Sequence, residues 1–454
     1  MTKTRMYRIL LLACLAATPR MALADATTVP NAGRIPIGDI GALEGGAMIA
    51  RTDDGAATWY NPAGLVRASR ASISSNASMY EVNRITIGGG ADADTSNTFN
   101  IVPAYIGSVG FFNKSSGHPR TAWGFSIAIP VNWKSLADSE IMKGSAGTDL
   151  SYGRFSSAAE LRTLVPCFGI AYAVSDRFSL GAALHGLYTT EYQQYSLYER
   201  HDADTWFGNQ SFVQNSTSWQ GQLVFGASWR PRQALNIGLT VKLPSFDILN
   251  QTSMYYNSSY YYGTTTEAEF ADVNKLTYKI NRPAEFGIGV AYQQPACGFE
   301  ADAIYRTRVK AYSQYNGDMD INVITYDSSG SPTMSQRSQV FADNRDKAIV
   351  NAKIGGYVAV TDAIKWHVGA FTDRSTMKNS VYYDYAGYYQ RVDLYGATTG
   401  ISFTDRNSTV GIGFSYTWSG PMTAQVYDIK TIDYAHKQGN IRIIGFILTG
   451  KYFF

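Results

Sequence analysis

The histidines are the residues of this sequence best suited to acid–base or metal chemistry, and their spacing argues against both. No two of the five stand four positions apart, as a helical metal-binding pair would. The Gly-x-Ser-x-Gly pattern of hydrolases and the His-Glu-x-x-His pattern of metalloproteases are also absent. We therefore predict no catalytic residue, no metal site and no cofactor. The five are His118, His185, His201, His367 and His436.

The charge balance of the 454 residues does not favour a nucleic-acid partner. Charged residues make up 17% of the chain, against about 25% in an average protein. Residues 1–24 hold four of the 39 Lys and Arg residues and no acidic residue, so the other 35 nearly balance the 36 acidic ones. Beyond residue 24 there are only two cysteines, Cys167 and Cys297, too few for a disulfide framework. We expect the two to remain unpaired, because they fall on non-adjacent predicted strands.

The N-terminus has the three parts of a secretory signal. Basic residues precede an apolar run over residues 9–18, and Ala22-Leu23-Ala24 then places small residues where signal peptidase reads them. We predict cleavage after Ala24, with Ala26 as the alternative site. No later apolar run approaches the ~20 residues of a membrane-spanning helix, so we predict an exported protein without a helical anchor.

Apolar residues recur at every second position in many windows after residue 120. Good examples are residues 123–129, 219–229, 235–243 and 410–418. A period of two is typical of a strand with one apolar face. The runs match the ~9–11 residues of a tilted strand that crosses a membrane. Tryptophans stand at the ends of several runs, where the membrane interfaces would lie, namely Trp123, Trp219, Trp229 and Trp418.

The pattern predicts an all-β fold, a fourteen-stranded antiparallel transmembrane β-barrel. Such a sheet closes on itself, because every backbone polar group must be paired in lipid. Short turns alternate with long Tyr- and Ser-rich loops at about 190–215, 250–274, 313–344 and 421–437, as in outer-membrane barrels. The predicted strands cover approximately residues 71–82, 99–112, 121–133, 161–174, 177–191, 215–229, 235–248, 275–292, 297–311, 346–360, 364–380, 390–404, 409–420 and 439–454.

The last strand ends in alternating apolar residues that include Tyr452 and the terminal Phe454. This ending resembles the C-terminal signal by which bacterial outer-membrane barrels are recognised for assembly. We therefore expect the barrel-assembly machinery and outer-membrane lipid as partners, and the bacterial outer membrane as the location.

Residues 25–64 do not read as a strand and contain many Gly and Ala residues. Small residues permit close packing and tight turns, so a plug inside the barrel is the favoured interpretation and a loose periplasmic tail the alternative. The chain then divides into a signal peptide (1–24), an N-terminal plug or hatch (25–70) and the barrel (71–454).

A resemblance to a known family rests on this segment. Asp53 and Asp54, followed by Asn61-Pro62-Ala63-Gly64, resemble the N-terminal hatch of the FadL family, outer-membrane transporters of long-chain fatty acids and other hydrophobic molecules. The small-residue run over 41–50 is similar to the one before that family's acidic pair. In place of the family's Gly-Arg-Ala this run has Gly41-Ala42-Leu43.

The resemblance implies a gated passage for a hydrophobic small molecule, most of all a long-chain fatty acid. It implies a plug, an apolar ligand pocket beneath the loops, and a kinked third strand that opens sideways into the lipid. The positions for that kink are Gly124 and Pro130, although Pro130 could also simply end its strand. Asn61 and Pro62 are expected to shape the plug turn.

Three other functions stay open at this point. A hydrophilic porin would want charged lumen residues, but the predicted inward rows are mostly Gly, Ser, Ala, Asn and Gln, with Lys242 an exception. A secretion or assembly barrel would bind a protein partner. A barrel phospholipase would use His185 or His367, yet the sequence places no Ser and acid beside either. The Tyr255–Tyr262 cluster is predicted to lie in a loop, either collecting ligand or packing at the lipid headgroups.

Overall fold

The barrel strands and most of the segment before them are described by the structure, a computed structural model. The predicted signal peptide and both cleavage sites lie outside the described residues. These are 31, 33–87, 94–112, 120–143, 151–201, 206–262, 265–313, 315–316, 319–339, 343–376, 392–420, 422–428 and 433–454.

Fourteen antiparallel wall strands close the barrel, and β1 pairs with β22 from Ser72↔Phe453 onward. Five wall strands are divided into segments, namely β7 with β8, β9 with β10, β11 to β14, β15 to β17, and β20 with β21. The predicted fold class is confirmed. The strands are β1 Ser72–Ile87, β2 Asp94–Phe111, β3 Thr121–Lys143, β4 Ser151–Ser175, β5 Phe178–His201, β6 Trp206–Arg232, β7 Leu235–Lys242, β8 Phe246–Tyr262, β9 Thr265–Tyr278, β10 Glu285–Gln293, β11 Cys297–Arg306, β12 Val309–Ser313, β13 Tyr315–Asn316, β14 Met319–Tyr326, β15 Pro332–Gln339, β16 Asp343–Asp346, β17 Ile349–Ala359, β18 Ile364–Asp373, β19 Leu394–Thr404, β20 Ser408–Ser419, β21 Met422–Asp428 and β22 Asp433–Phe453.

The outer wall is apolar, as the alternation predicts. Phe225, Trp229 and Phe414 are exposed on the outside, while the alternate positions, such as Gly226 and Ser228, are buried. An apolar exterior on a closed barrel is the arrangement that a bilayer requires. None of the helices in the described part of the chain is long and apolar enough to cross a bilayer. Cys167 and Cys297, on β4 and β11, are both free thiols.

The predicted long loops are largely wrong, because the strands continue through much of them. β5 and β6 pair as far as His201↔Trp206, and β8 and β9 as far as Tyr262↔Thr265. The Tyr cluster therefore lies on β8, with Tyr255 exposed and Tyr256 buried. In these extensions Tyr, Ser and Gln occupy both faces of the strand. The apolar alternation that marks the lower strands fades, although Tyr itself favours strands.

Residues 33–70 lie inside the barrel, and we call them the hatch. They form two short α-helices, α1 (Asp39–Leu43) and α2 (Ala57–Tyr60), and a 3₁₀ helix over Pro62–Arg67. Most of the hatch is buried, and it hydrogen-bonds to strands on several sides of the barrel. Wall glycines let the two backbones approach. A Cβ at Gly226 would overlap Asn61 Oδ1, and one at Gly355 would overlap the Glu44 carbonyl oxygen.

Candidate functional site

A buried ion-pair network holds one side of the hatch against β11. The Arg51 guanidinium pairs with Glu44 and places its Nε 2.9 Å from Glu300 Oε2. The other oxygen of Glu300 accepts a hydrogen bond from the Ala50 amide at 2.6 Å, and Asp302 accepts one from the Met48 amide at 3.0 Å. Buried charges require such partners, because each loses its hydration. The network fixes the loop between α1 and α2 to the barrel wall.

His367 extends this network to β18 and β19. Its Nδ1 lies 2.7 Å from Glu44 Oε1 and its Nε2 lies 2.8 Å from Ser402 Oγ. A hydroxyl, an imidazole and a carboxylate in this order also form the triad of a hydrolase. The sequence alone did not reveal this arrangement. All three residues are at most 1% exposed, and Glu44 is also bound by Arg51. Ser402 therefore has no access to a substrate. The three residues are better explained as an anchor that holds the hatch to the wall.

Loss of the Arg51 charge is expected to free this side of the hatch. Arg51→Met would leave Glu44 and Glu300 buried without their common cation, which typically costs about 3–5 kcal/mol. Hydrogen exchange at residues 44–51 should become much faster, while the β5–β6 ladder keeps its protection. Unchanged protection at residues 44–51 would contradict the anchoring role of this network.

The acidic pair of the hatch motif lies at the seam between β1 and β22. Asp54 accepts hydrogen bonds from the Ala56 amide at 2.8 Å and from Ser74 Oγ on β1 at 3.2 Å. Lys451 on β22 places its ammonium 3.4 Å from Asp54 and 3.7 Å from the exposed Asp53. The pair therefore joins the hatch to the first and the last strand.

Asp39 is expected to make docking of the hatch sensitive to pH. Burial, reinforced by the neighbouring Asp54 carboxylate, raises the pKa of Asp39 from 3.8 to about 7, although Lys451 opposes the shift. Burial acts on Asp54 too, but Lys451 and the hydrogen bond from Asp39 leave its pKa below the usual value. The undocked segment thus loses the Asp39 proton near pH 4, and the docked one keeps it to about pH 7.

The free energy of hatch docking is accordingly expected to weaken by up to about 1.4 kcal/mol per pH unit as the pH rises from about 4 to 7. Above pH 7 it should level off. Asp54 adds no slope in that window, because its pKa lies below it in both states. Asp39→Asn should flatten the dependence. Hydrogen exchange at residues 39–43, corrected for intrinsic rates, measures this. An equally steep dependence in Asp39→Asn would refute the assignment.

The Asn61-Pro62-Ala63-Gly64 segment shapes the turn between α2 and the 3₁₀ helix. The Asn61 side-chain amide donates to the carbonyls of Ile49 at 2.8 Å and Ala227 at 3.0 Å, and its oxygen accepts from the Ala63 amide at 3.2 Å. Ser179 Oγ on β5 donates to the Ala63 carbonyl at 2.9 Å. A Cβ at Gly64 would overlap the Thr52 carbonyl oxygen. The motif therefore positions the hatch.

Of the two positions predicted for a kink in β3, Gly124 lies in a regular stretch and Pro130 in an irregular one. Gly124 pairs in unbroken register with Val109 and with Gly169, and its missing side chain makes room for Leu65. The β3–β4 register shifts between Ala128 and Val131, the interval that holds Pro130. Proline cannot donate a ladder hydrogen bond.

The same interval is where pairing between β2 and β3 stops. Their register runs from Phe111↔Ala122 to Tyr105↔Ala128. The two flanking ladders are longer. The β1–β2 pairing continues to Ile87↔Asp94, and the β3–β4 pairing continues to Lys143↔Ser151. We call this end of the described β2–β3 ladder, at Tyr105 and Ala128, the β2–β3 break.

Four charged side chains form a group on the lumen side of the hatch, which we call the cationic chamber (Lys242, Arg282, Glu285 and Arg306). Glu285 bonds both to Lys242, at 3.2 Å, and to Arg306, at 2.8 Å. These three side chains remain 12–13% exposed, so none of them is fully buried. The sequence-based inward rows included only Lys242. Glu285, which pairs in register with Lys242 and Arg306, could have been found from the strand map.

Arg282 differs from the other members of the chamber. Its guanidinium Nη2 bonds to hydroxyls, Thr189 Oγ1 at 3.0 Å and Thr163 Oγ1 at 3.3 Å. Among the residues that the structure describes, no carboxylate lies within ion-pair distance of it, and its Nε has no hydrogen-bond partner. A part-buried cation with only neutral partners can accept an anion.

An apolar cluster adjoins Arg282 on the side away from the short turns, and we call it the upper cluster. Tyr278 and Ile280, just before Arg282 in the chain, belong to it. Tyr hydroxyls bond within the surrounding wall, as in the Gln214–Tyr315 hydrogen bond of 2.6 Å. The members are Tyr195, Phe212, Met254, Tyr256, Ala271, Leu276, Tyr278, Ile280, Tyr315, Met319, Ile321 and Val323.

The predicted assembly residues are on the outside of the barrel. Tyr452 and Phe454 are 49% and 70% exposed, and their rings meet edge to face with centroids 5.5 Å apart. Their neighbour Lys451 points inward to the hatch. The last strand therefore presents an aromatic pair outward and a hatch contact inward.

Comparison with known proteins locates this architecture among solved structures. No protein-family model matches the sequence, and no curated protein does. A Pseudomonas aeruginosa FadL homologue is 13% identical, with a TM-score of 0.60 over 94% of this chain and 99% of that one. The toluene transporter TodX of P. putida is 12% identical (TM-score 0.59; 93% and 99% covered), and the toluene transporter TbuX of Ralstonia pickettii is 14% identical (0.54; 93% and 99%). This chain therefore has the FadL fold.

Proposed function

We propose that this barrel carries hydrophobic compounds passively across the bacterial outer membrane, and that its preferred ligand is a long-chain fatty acid. The observation that carries the choice of ligand is Arg282, a cation without an ion pair among the described residues, placed beside the upper cluster. A fatty acid has the two features that this arrangement fits, an anionic head and an apolar tail.

The energetics favour such a ligand over a neutral one. A carboxylate at Arg282 would form a charge-assisted hydrogen bond, which is worth about 1.5–3 kcal/mol. The tail would gain about 0.8 kcal/mol for each CH₂ group that it buries. TodX and TbuX are described as toluene transporters, and toluene has no charge for Arg282 to bind. A neutral hydrocarbon is therefore the second candidate.

The positions of the hatch and of the β2–β3 break support the proposed route. In this proposal residues 25–70 act as a plug below the cationic chamber, so that a ligand does not pass straight into the periplasm. It leaves sideways at Pro130, where it enters lipid without returning to water. Residues 1–24 direct export as a cleaved signal peptide, and Tyr452 and Phe454 direct assembly by the barrel-assembly machinery. The protein is a transporter in this account and not an enzyme.

Binding to the purified barrel in detergent tests the choice of ligand. Oleate, the neutral alcohol of the same chain length, and toluene would be titrated side by side at pH 7.5 and low ionic strength. We expect oleate to bind at least tenfold more tightly than the alcohol, because a gain of about 1.4 kcal/mol in binding free energy at Arg282 corresponds to a factor of ten in affinity. Equal affinities for the acid and the alcohol would remove the fatty-acid preference. Tight binding of toluene alone would replace it with aromatic hydrocarbons.

A further inference from the structure

Trp59 is the hatch side chain that faces the cationic chamber. Its indole ring has two close neighbours. The Lys242 ammonium lies 4.3 Å from the ring centroid, and the His185 imidazole stacks on the ring at 5.4 Å with an angle of 6° between the planes. Unlike its neighbours Thr58 and Tyr60, Trp59 is only half-buried. A ligand head in the chamber would therefore lie next to this ring and to the cation that covers it.

The ring also packs against the cluster that lines the β2–β3 break. This cluster contains Tyr105, Ala128 and Ile129, the residues at that break. The ring packs as well against the wall cluster of Val165, Cys167 and Leu187 on β4 and β5. Trp59 thus contacts Lys242 of the chamber and packs against the cluster that reaches the end of the β2–β3 ladder.

The backbone at this position is fixed, whereas the ring depends on contacts that a ligand can replace. Thr58 Oγ1 bonds to Ser126 Oγ at 2.6 Å and to the Gly55 carbonyl at 2.7 Å, and the Thr58 carbonyl bonds to His185 Nε2 at 2.8 Å. Lys242 is shared between the ring and Glu285. Because an ammonium binds a carboxylate more strongly than an aromatic face, an anionic head would draw Lys242 away from Trp59.

We propose that Trp59 is the gate between the cationic chamber and the β2–β3 break, and that Lys242 couples its opening to an anionic ligand head. This inference rests on the proposed function. The gate opens by a side-chain movement, while the hatch stays docked through Thr58, Asn61 and Arg51. It is therefore distinct from displacement of the whole hatch.

The test compares binding and passage in the same variants. Trp59→Ala and Trp59→Phe are made in the full chain, with Trp418→Ala on the outer face of β20 as the control. Oleate binding is measured on purified protein, and initial uptake of labelled oleate and of the matching alcohol in cells. Ion conductance in planar bilayers shows whether the hatch remains docked.

For Trp59→Ala we expect uptake of both compounds raised at least threefold, and no steady ion conductance. Uptake by Trp59→Phe should lie between that of wild type and that of Trp59→Ala, because the smaller ring still covers part of the path. Trp418→Ala should behave as wild type. Unchanged or lowered uptake of the alcohol in Trp59→Ala would overturn the gate. Steady conductance in Trp59→Ala would show that Trp59 holds the hatch itself and would also overturn it.

Coupling through Lys242 has its own readout. The emission difference between wild type and Trp59→Phe isolates Trp59, and we expect oleate to change it and the alcohol to leave it unchanged. Lys242→Met should abolish the oleate response. Lys353→Met, which removes the ammonium 5.8 Å from the Tyr60 ring, should keep it. The same response to acid and alcohol would overturn the coupling. Failure of wild type to bind oleate at all would overturn the proposed function, and the gate with it.

Discussion

Oleate is expected to bind the Arg282→Met variant at least tenfold more weakly than wild type, while the alcohol of the same length binds equally well to both. Methionine keeps much of the apolar stem of Arg282 and removes only the charge. The loss of one charge-assisted hydrogen bond, about 1.5–3 kcal/mol, corresponds to a factor of about 10 to 150 in affinity. Titration of both ligands into both purified proteins gives the two ratios directly.

Arg337→Met is the matched control. Arg337 lies on β15 and pairs with Glu269 at 2.8 Å, so its charge is already matched and it should not attract a second carboxylate. We expect oleate affinity in this variant to stay within about threefold of wild type. Equal losses in the two variants, or a parallel loss of alcohol binding in Arg282→Met, would mean that Arg282 supports the shape of the lumen and does not bind the ligand head.

Steady ion conductance is the expected result for Gly355→Val. A Cβ at Gly355 would overlap the Glu44 carbonyl oxygen, and this hatch backbone is held by Arg51 and His367 on either side. Because a backbone atom cannot turn away as a flexible side chain can, the hatch must shift or undock. Planar-bilayer recordings should show a lasting current, whereas wild type should show little or none.

Gly450→Val provides the control for the added side chain itself. Gly450 is also in a barrel strand, but a Cβ there meets nothing within 4 Å. This variant should conduct as wild type does and migrate as a folded barrel in unheated gels. A closed Gly355→Val barrel of normal folded mobility would contradict the role of the hatch as a plug.

The architecture could be predicted from the sequence, because it depends on local periodicity. The apolar alternation near Phe225 and Phe414 marks strands that face lipid, and their number follows from counting. The extensions of β5, β6 and β8 were missed, because outside the membrane neither face of a strand needs to be apolar. Tyr256 therefore looked like a loop residue, although it points into the upper cluster.

The site was predicted only where its residues are close in sequence. Asp54 and Asn61 belong to one short motif, so they could be singled out. Glu44 and His367 are 323 positions apart, and Met48 is 254 positions from Asp302. No spacing rule connects such pairs, which only the closed barrel brings together. Gly124 was predicted as a position for a kink in the third strand, yet its small size is what admits Leu65.

Uptake of labelled oleate by cells that lack this gene, compared with the same cells complemented, tests the central claim most directly. We expect the intact protein to restore uptake, and Arg282→Met to restore much less at equal outer-membrane levels. No difference between empty and complemented cells, with the folded barrel present in the outer membrane, would contradict fatty-acid transport.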